Sequence, residues 1–230
     1  MRLYQTLICL CLATLFALPA GAQEMKLSPV DEAANDSSWT GFRNRLLNAL
    51  DKRDKKFVLG IVDKNIRNSV DGPRGIAEFK KLWDIDADDS ALWRELASAL
   101  FLGGAYRKRE KGPAEFCAPY VLPRWPADVD PHAYGAIITK EALAKAAPAA
   151  SSETLQTLAY DIVAVTDWDV ADQAADNKQR WVKIKIKEGE GYVPEEQVRS
   201  PLEHLACFVK TANGWRMTAL GAGGLQGNSD

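Results

Sequence analysis

The 230-residue chain lacks the residues on which much enzyme chemistry depends. It has two histidines, His132 and His204, and neither pairs with Cys117 or Cys207 at the spacing of metal ligands. Motifs for a serine nucleophile, a phosphate-binding loop, a dinucleotide fold and a zinc protease are all absent. The sequence therefore assigns no catalytic residue and no metal ligand, and we expect no cofactor.

An excess of charge of one sign is also missing. The chain has 29 basic and 31 acidic residues, which give a formal net charge of -2, and the two signs are interleaved. Proteins that bind nucleic acid usually carry a basic excess or a basic stripe that meets the phosphates. We therefore expect no nucleic-acid partner.

Long apolar runs are scarce, and the clearest one lies at the N-terminus. It follows Arg2, spans residues 7–18 and ends before the small residues Ala20-Gly21-Ala22. This is the pattern of a secretory signal peptide, and the run is too short for a membrane anchor. We expect residues 1–22 to be cleaved, leaving a periplasmic or secreted protein with no membrane span.

The next part of the chain predicts a leader followed by helices. Residues 23–36 are polar and have no periodicity, which is typical of a disordered leader. Ser37 or Ser38 can then cap a helix. Apolar residues recur at helical spacing at Trp39, Phe42, Leu46, Ala49 and Leu50. Similar patterns predict further helices as far as Gly103-Gly104.

Residues 181–187 carry the clearest strand pattern. One face holds Val182, Ile184 and Ile186, and the other holds Lys183, Lys185 and Lys187. Strict alternation predicts a strand that is half-buried on a core. Several other short β-type runs, separated by polar or proline-containing loops, surround it: residues 136–139, 155–158, 161–166 and 192–193.

A second hairpin is predicted near the C-terminus. Residues 205–210 and 215–220 are strand-like, and Asn213-Gly214 suits the tight turn between them. Upstream, residues 115–122 resemble an edge strand. We therefore predict an α+β fold with two parts: residues 37–130 plus 201–224, with helices on a curved antiparallel sheet, and an inserted all-β barrel at 131–200.

The inserted part resembles the bacterial-type Src homology 3 family. The matching residues are Ala146-Ala147-Pro148, Leu158-Ala159-Tyr160-Asp161-Ile162-Val163, Trp181-Val182-Lys183-Ile184 and Gly191-Tyr192-Val193 followed by Val198. Where that family commonly has Val-Asn-Val-Arg before the Ala-Ala-Pro, this chain has Ala142-Leu143-Ala144-Lys145. The resemblance implies a small barrel, and many members of the family bind cell-wall peptides or glycan.

The flanking parts resemble the nuclear transport factor 2-like, or cystatin-like, cone. Residues 46–67 with Asn48-Ala49-Leu50-Asp51 are similar to its opening helices, and Phe208-Val209-Lys210 through Gly214-Trp215-Arg216-Met217 to its closing hairpin. That fold carries both enzymes and binding modules, so it does not fix a function.

Four aromatic residues are candidates for a ligand groove on the predicted barrel. They are Tyr160, Trp168, Trp181 and Tyr192. Flat, stiff aromatic faces bind extended peptides and sugar rings. The alternative is that Tyr160 and Trp181 fill the barrel edge. Lys183, Lys185 and Lys187 could instead attract acidic glycan or lipid headgroups, but we favour a solvated strand face. We expect a non-catalytic binding or scaffolding protein of the bacterial cell envelope, with cell-wall peptide, glycan or another periplasmic protein as its partner.

The alternative function is an enzyme that uses the cone as a pocket for a small apolar substrate. Such a site needs a carboxylate or a histidine inside the cone. Asp63, Tyr106 and His132 are the candidates, and none of them lies in a recognisable motif.

Cys117 and Cys207 both fall on predicted strands of the first part. If those strands are neighbours, the two thiols can form a disulfide in an oxidising compartment. The alternative is two separate buried thiols.

An acidic run has the spacing of part of a calcium-binding loop. Asp84, Asp86, Asp88 and Glu95 occupy ligand positions of that template. However, Asp89 stands where the loop needs glycine. We therefore favour a solvated acidic turn in which Asp88, Asp89 or Ser90 caps the next helix.

Overall fold

The structure is a computed structural model that describes residues 25–69, 72–109, 111–174 and 176–222. The predicted signal peptide, residues 1–22, lies outside this range. Among the described residues, no helix is long and apolar enough to cross a membrane.

The described chain contains both helices and strands. The helices are Ser37–Asp51 (α1), Lys55–Ile61 (α2), Ile76–Trp83 (α3) and Leu92–Phe101 (α4). The strands are Val62–Arg67 (β1), Ala105–Arg107 (β2), Glu115–Ala118 (β3), Tyr134–Ile137 (β4), Ala142–Lys145 (β5), Thr154–Leu158 (β6), Ile162–Ala171 (β7), Arg180–Ile186 (β8), Gly189–Pro194 (β9), Val198–Arg199 (β10), Leu205–Thr211 (β11) and Gly214–Gly221 (β12). A 3₁₀ turn, Glu195–Gln197, precedes β10. The α+β class is therefore present.

Helix α1 forms where the apolar spacing predicts it. It buries the five predicted residues Trp39, Phe42, Leu46, Ala49 and Leu50. The cap is Asp36 and not Ser37 or Ser38, because the Asp36 Oδ1 accepts hydrogen bonds from the backbone N–H groups of Ser38 at 2.8 Å and Trp39 at 3.4 Å. These donors have no partner inside the first helical turn, so the carboxylate stabilises the start of the helix.

The first sheet has the strand order β1-β12-β11-β3-β2. Strand β1 runs parallel to β12, and the other neighbours are antiparallel. Aromatic side chains join the sheet to α1: the Trp39 ring lies 4.4 Å from Phe116, 5.1 Å from Phe208 and 4.9 Å from Trp215, measured between centroids. The predicted hairpin of residues 205–220 belongs to this sheet.

Strand β3 is not the sheet edge that the sequence predicts. It ends at Ala118, and β2 pairs with its outer side through residues such as Tyr106 and Phe116. Strand β2 has three residues, Ala105–Arg107. A strand of this length has too few residues to show alternation, which is why the sequence does not reveal it.

The second sheet has the strand order β10-β4-β7-β8-β9-β5-β6. All seven strands contribute to one apolar cluster, whose buried members are Ile137, Ala142, Ala144, Leu158, Val163, Val182, Ile184, Val193 and Val198. Val182 and Ile184 are fully buried, and Ile186 packs against the cluster. The alternation of residues 181–187 therefore predicts the buried face of β8 correctly.

Residues 25–36 are ordered, so the predicted disordered leader is wrong for this segment. The backbone N–H of Leu27 donates to the carbonyl of Tyr160 at 2.7 Å, and that of Ile162 donates to Met25 at 2.8 Å. Leu27 and Ala33 are buried. The segment is polar overall, but these contacts come from tertiary neighbours that composition does not reveal.

A small apolar cluster joins the two sheets, and we call it the junction. Its buried members are Leu27, Tyr120, Val121, Val129, Ala136 and Ile162. Tyr120 is fully buried there, and its hydroxyl donates to the carbonyl of Leu27 at 3.3 Å. The N-terminal segment therefore helps to connect the first sheet to the second.

Candidate binding cleft

A cleft of about 1080 Å³ lies between helix α4 and the second sheet. One wall consists of Arg94, Ala97, Ser98, Phe101 and Leu102 from α4 and its end. The other wall consists of Ile138, Val198 and Arg199 with residues 178–180, 195–196 and 203. The cleft thus uses residues from both parts of the fold, and a ligand there would contact both.

Among the apolar residues that line the cleft, Phe101 is the most exposed. Helix α4 turns Leu96, Ala99 and Leu100 into the core of the first part, and Phe101 follows one position off that face. Its side chain is 75 % exposed. A large exposed aromatic ring loses the favourable free energy of burial, and such rings often mark contact surfaces. Val198, which is buried, lines the opposite wall.

Several charged side chains at the cleft rim already have partners. Arg199 donates through Nη2 to the carbonyl of His204 at 2.7 Å, and its Nη1 lies 3.2 Å from Glu203 Oε2. Gln179 Nε2 donates to Glu196 Oε2 at 2.6 Å, and Arg180 bonds to Asp169. These contacts fix the positions of the rim side chains around the apolar residues of the cleft.

Glu195 stands apart from this paired set because its proton affinity is raised. Burial is the main cause of the raised pKa of Glu195, and the negative charges of Asp169, Glu203 and Glu196 add to it, while Arg180 opposes them. Its carboxyl therefore keeps a proton to a higher pH than an exposed glutamate does. It can donate or accept a hydrogen bond at the cleft wall.

Two of the four predicted groove aromatics, Trp181 and Tyr192, lie on the outer face of the second sheet. Trp181 is 2 % exposed, and its indole N–H donates to Asp172 Oδ2 at 2.9 Å. Tyr192 pairs with Lys183, whose Nζ lies 6.0 Å from the ring centroid. Trp181 is thus occupied by its own chain, and the lysine face of β8 is partly covered.

The other two aromatics, Trp168 and Tyr160, lie elsewhere. Trp168 is 36 % exposed and lies against Gly135, where a Cβ atom would be 3.2 Å from its ring. Tyr160 is at the junction, where its backbone bonds to Leu27 and Thr139. The four predicted residues therefore do not line one common groove. The sequence missed the cleft itself, although Phe101 directly after the buried Leu100 is a visible signal for it.

The enzyme candidates are not brought together. Asp63 on β1 and Tyr106 on β2 lie on opposite edges of the first sheet. His132 is exposed in a turn, where its backbone N–H donates to Asp130 Oδ1 at 2.9 Å. The space between α1 and the first sheet, where the predicted pocket would lie, is filled by aromatic side chains around the fully buried Trp39.

Cys117 and Cys207 form a disulfide, as the sequence hypothesis proposed. They face each other in the register of β3 and β11, with their Cα atoms 4.1 Å apart. Glu115 lies close to both sulfur atoms. This group is not a metal site, because the sulfur atoms are bonded to each other and are not thiolates.

The acidic run does not form a calcium loop. The Asp86 carboxylate is 87 % exposed and pairs with Lys55 at 3.3 Å. Glu95 accepts from Arg94 at 3.0 Å and lies 3.3 Å from His204 Nδ1. The start of α4 is instead supported by Ser90, whose Oγ accepts from the backbone N–H of Leu92 at 3.3 Å.

Comparison with known proteins finds no family model, no curated protein and no solved structure that matches this chain. The family resemblances of the two parts are therefore expectations from short motifs. A function has to be argued from the geometry of the cleft.

Proposed function

We propose that this protein is a non-catalytic, exported binding protein of the bacterial cell envelope, and that it holds an extended peptide in the cleft between α4 and β10. The observation that carries the proposal is the exposed ring of Phe101, which faces a cleft of about 1080 Å³. Clefts of this size and partly apolar character are the usual sites for small ligands and short peptides.

The chemistry of the cleft favours a peptide over a neutral glycan. Its rim carries the cations Arg94 and Lys178 and the carboxyl groups of Glu195 and Glu196. An extended peptide presents side chains on two faces together with backbone donors and acceptors. A cell-wall peptide carries both amino and carboxylate groups. It can therefore contact the apolar residues of the cleft and pair with both the basic and the acidic side chains of its rim.

The second part of the fold supports the role of a small binding barrel. All seven strands of its sheet share one apolar cluster, as the strands of a Src homology 3-like barrel do. The motifs Trp181-Val182-Lys183-Ile184 and Gly191-Tyr192-Val193 resemble those of the bacterial-type family. In this proposal the barrel contributes the β10 wall of the cleft, and the outer aromatic face is not the main site.

A test of the proposal is binding of purified cell-wall peptides to the exported form, residues 23–230, measured by calorimetry. Phe101→Ala should weaken binding at least about tenfold, because a central aromatic contact often dominates an interface. Since Phe101 is exposed, the variant should keep its melting temperature. Leu82→Ala is the matched control, because Leu82 is also a large exposed apolar residue, at 54 %, and does not line this cleft.

The same experiment distinguishes the alternatives. Equal binding by wild type and Phe101→Ala, with loss in Tyr192→Ala, would move the site to the outer aromatic face. Binding to purified glycan strands without attached peptides would contradict the choice of peptide. An absence of binding to any cell-wall fraction would favour a role as a partner of another periplasmic protein.

A further inference from the structure

A second, much smaller pocket lies at one end of the first sheet. It encloses about 220 Å³ and shares no lining residue with the cleft. Arg67, Arg74, Arg109 and Lys111 line it together with polar residues that include Asp63.

A buried carboxylate beneath the pocket holds the arginines in position. Glu115 is fully buried and accepts from Arg67 Nη2 at 2.8 and 2.7 Å and from Arg107 Nη2 at 2.6 Å. Burial alone would raise the pKa of Glu115, but the hydrogen bonds and charges of Arg67 and Arg107 outweigh it and keep the pKa below its usual value. The carboxylate is therefore ionised at neutral pH.

One of the basic side chains at the pocket has a donor with no acceptor. Among the described residues, four basic side chains line the pocket, and Arg107 adjoins it through its pair with Glu115. Arg109 Nε lies 4.0 Å from Glu115 Oε2 and is buried with no hydrogen-bond partner among the described residues. A buried donor without an acceptor is costly, and an anion in the pocket would lower that cost.

We propose that this pocket binds one small oxyanion, such as phosphate, sulfate or the phosphate group of a larger molecule. Guanidinium groups bind such oxyanions through paired, charge-assisted hydrogen bonds. The volume of about 220 Å³ suits a single anion with water and is below the range of pockets for larger ligands. Glu115 acts as a positioning residue, because it orients Arg67 and Arg107 and is itself too deep to contact the ligand.

The test is a titration of the protein with inorganic phosphate and with sulfate, against chloride at equal ionic strength, followed by calorimetry and melting temperature. We expect a single site for phosphate or sulfate and a melting temperature that rises with the anion but not with chloride. Arg109→Gln should weaken the affinity at least about tenfold, which is the loss of a strong charged contact. Since Arg67 and Arg107 still pair with Glu115, this variant should fold.

Two controls make the result decisive. Arg124→Gln removes the same charge at a surface pair with Glu32, outside the pocket, and should bind like the wild type. Lys111→Gln changes an exposed side chain at the pocket rim and should weaken binding several-fold even if Arg109→Gln is unstable. Phosphate that acts no differently from chloride, or full affinity in both Arg109→Gln and Lys111→Gln, would overturn the proposal.

A further arm identifies the source of the anion. Vesicles that contain phosphatidylglycerol are mixed with the protein and floated, in parallel with the phosphate titration. Binding of free phosphate without flotation supports an enclosed site for a small anion. Flotation without phosphate binding would show that the basic residues meet a lipid surface, and would overturn the enclosed site.

Discussion

Among single residues, Glu115 has the largest electrostatic role, because its buried carboxylate pairs with two arginines. It is fully buried, and Arg67 and Arg107 both depend on it for a counter-charge. Thr218 adds a hydrogen bond at 3.2 Å through its Oγ1. Buried ion pairs contribute little net stability compared with apolar packing, but removing one partner leaves an uncompensated charge. The cluster therefore constrains which substitutions the first sheet tolerates.

Replacing Glu115 by glutamine should destabilise the protein by about 3–5 kcal/mol, the usual cost of breaking a buried pair from one side. The measurement is urea unfolding at pH 7. Asp86→Asn is the control, because the Asp86 carboxylate is 87 % exposed and its pair with Lys55 is at the surface, where a loss of less than about 1 kcal/mol is expected. Equal losses in the two variants would contradict the role assigned to Glu115.

The pH dependence of stability should report the same carboxylate. A carboxyl group whose pKa is lowered on folding contributes stability that is complete above its unfolded pKa, and this is lost as the pH falls through the folded pKa. For Glu115 the loss should therefore begin below about 4.5 and be absent from Glu115→Gln. Repeating the urea unfolding of wild type and Glu115→Gln at lower pH measures this loss of stability.

Among the secondary-structure elements, helix α1 depends on Asp36 at its start. Its carboxylate caps the helix and also pairs with Lys210 on β11 at 3.0 Å. We expect the melting temperature to fall in the order wild type, Asp36→Asn, Asp36→Ala. Asparagine keeps an acceptor for the helix but loses the charge that attracts Lys210, whereas alanine loses both.

The pKa of Asp36 gives that prediction a defined pH window. Its hydrogen bond from Ser38, then that from Lys210, lower the pKa from 3.8 to about 2. The advantage of wild type over Asp36→Asn should therefore be complete above pH 4 and should shrink as the pH falls to 2. Asp51→Ala, at the other end of α1, is the control and should not lower the melting temperature, since a negative charge is unfavourable there. A constant difference across this pH range would contradict the assignment.

The elements that the sequence predicts well are those whose signals are local. The apolar spacing of α1, the alternation of β8 and the Asn213-Gly214 turn each lie within a few residues. The missed features depend on distant partners. Trp181 is on the same face of β8 as the lysines, yet it is buried, and its indole N–H donates to Asp172 Oδ2. Likewise, the sheet brings Arg67 to Glu115, which lies 48 residues further along the chain.

On the scale of the whole molecule, the second sheet is formed by a segment that is inserted between two strands of the first sheet. The chain leaves the first sheet at the end of β3, forms β4 to β10, and returns as β11 beside β3. The junction cluster around Tyr120 connects the two sheets. The cleft forms along this connection, with one wall from each sheet's own part of the chain, so its shape depends on how the two parts pack.

The disulfide links the two ends of this inserted segment, because Cys117 and Cys207 are 90 residues apart and flank the whole second sheet. In the chain-entropy model, closing a loop of this length stabilises a protein by about 4–5 kcal/mol. We expect reductant to lower the stability of the oxidised wild type by up to about this amount. The Cys117→Ala/Cys207→Ala variant should already have the lower stability and should not respond to reductant.

The stability lost on reduction of the disulfide should be uneven across the molecule, because the bond constrains the first sheet directly and the second sheet has its own apolar cluster. Hydrogen exchange of the reduced protein should rise first in β3, β11 and β12. Strands β4 to β10 should remain protected until higher denaturant, since the hydrogen bonds between them form within that sheet. If both sheets lost protection at the same denaturant concentration, the junction, and not the disulfide, would determine how the second sheet is attached to the first.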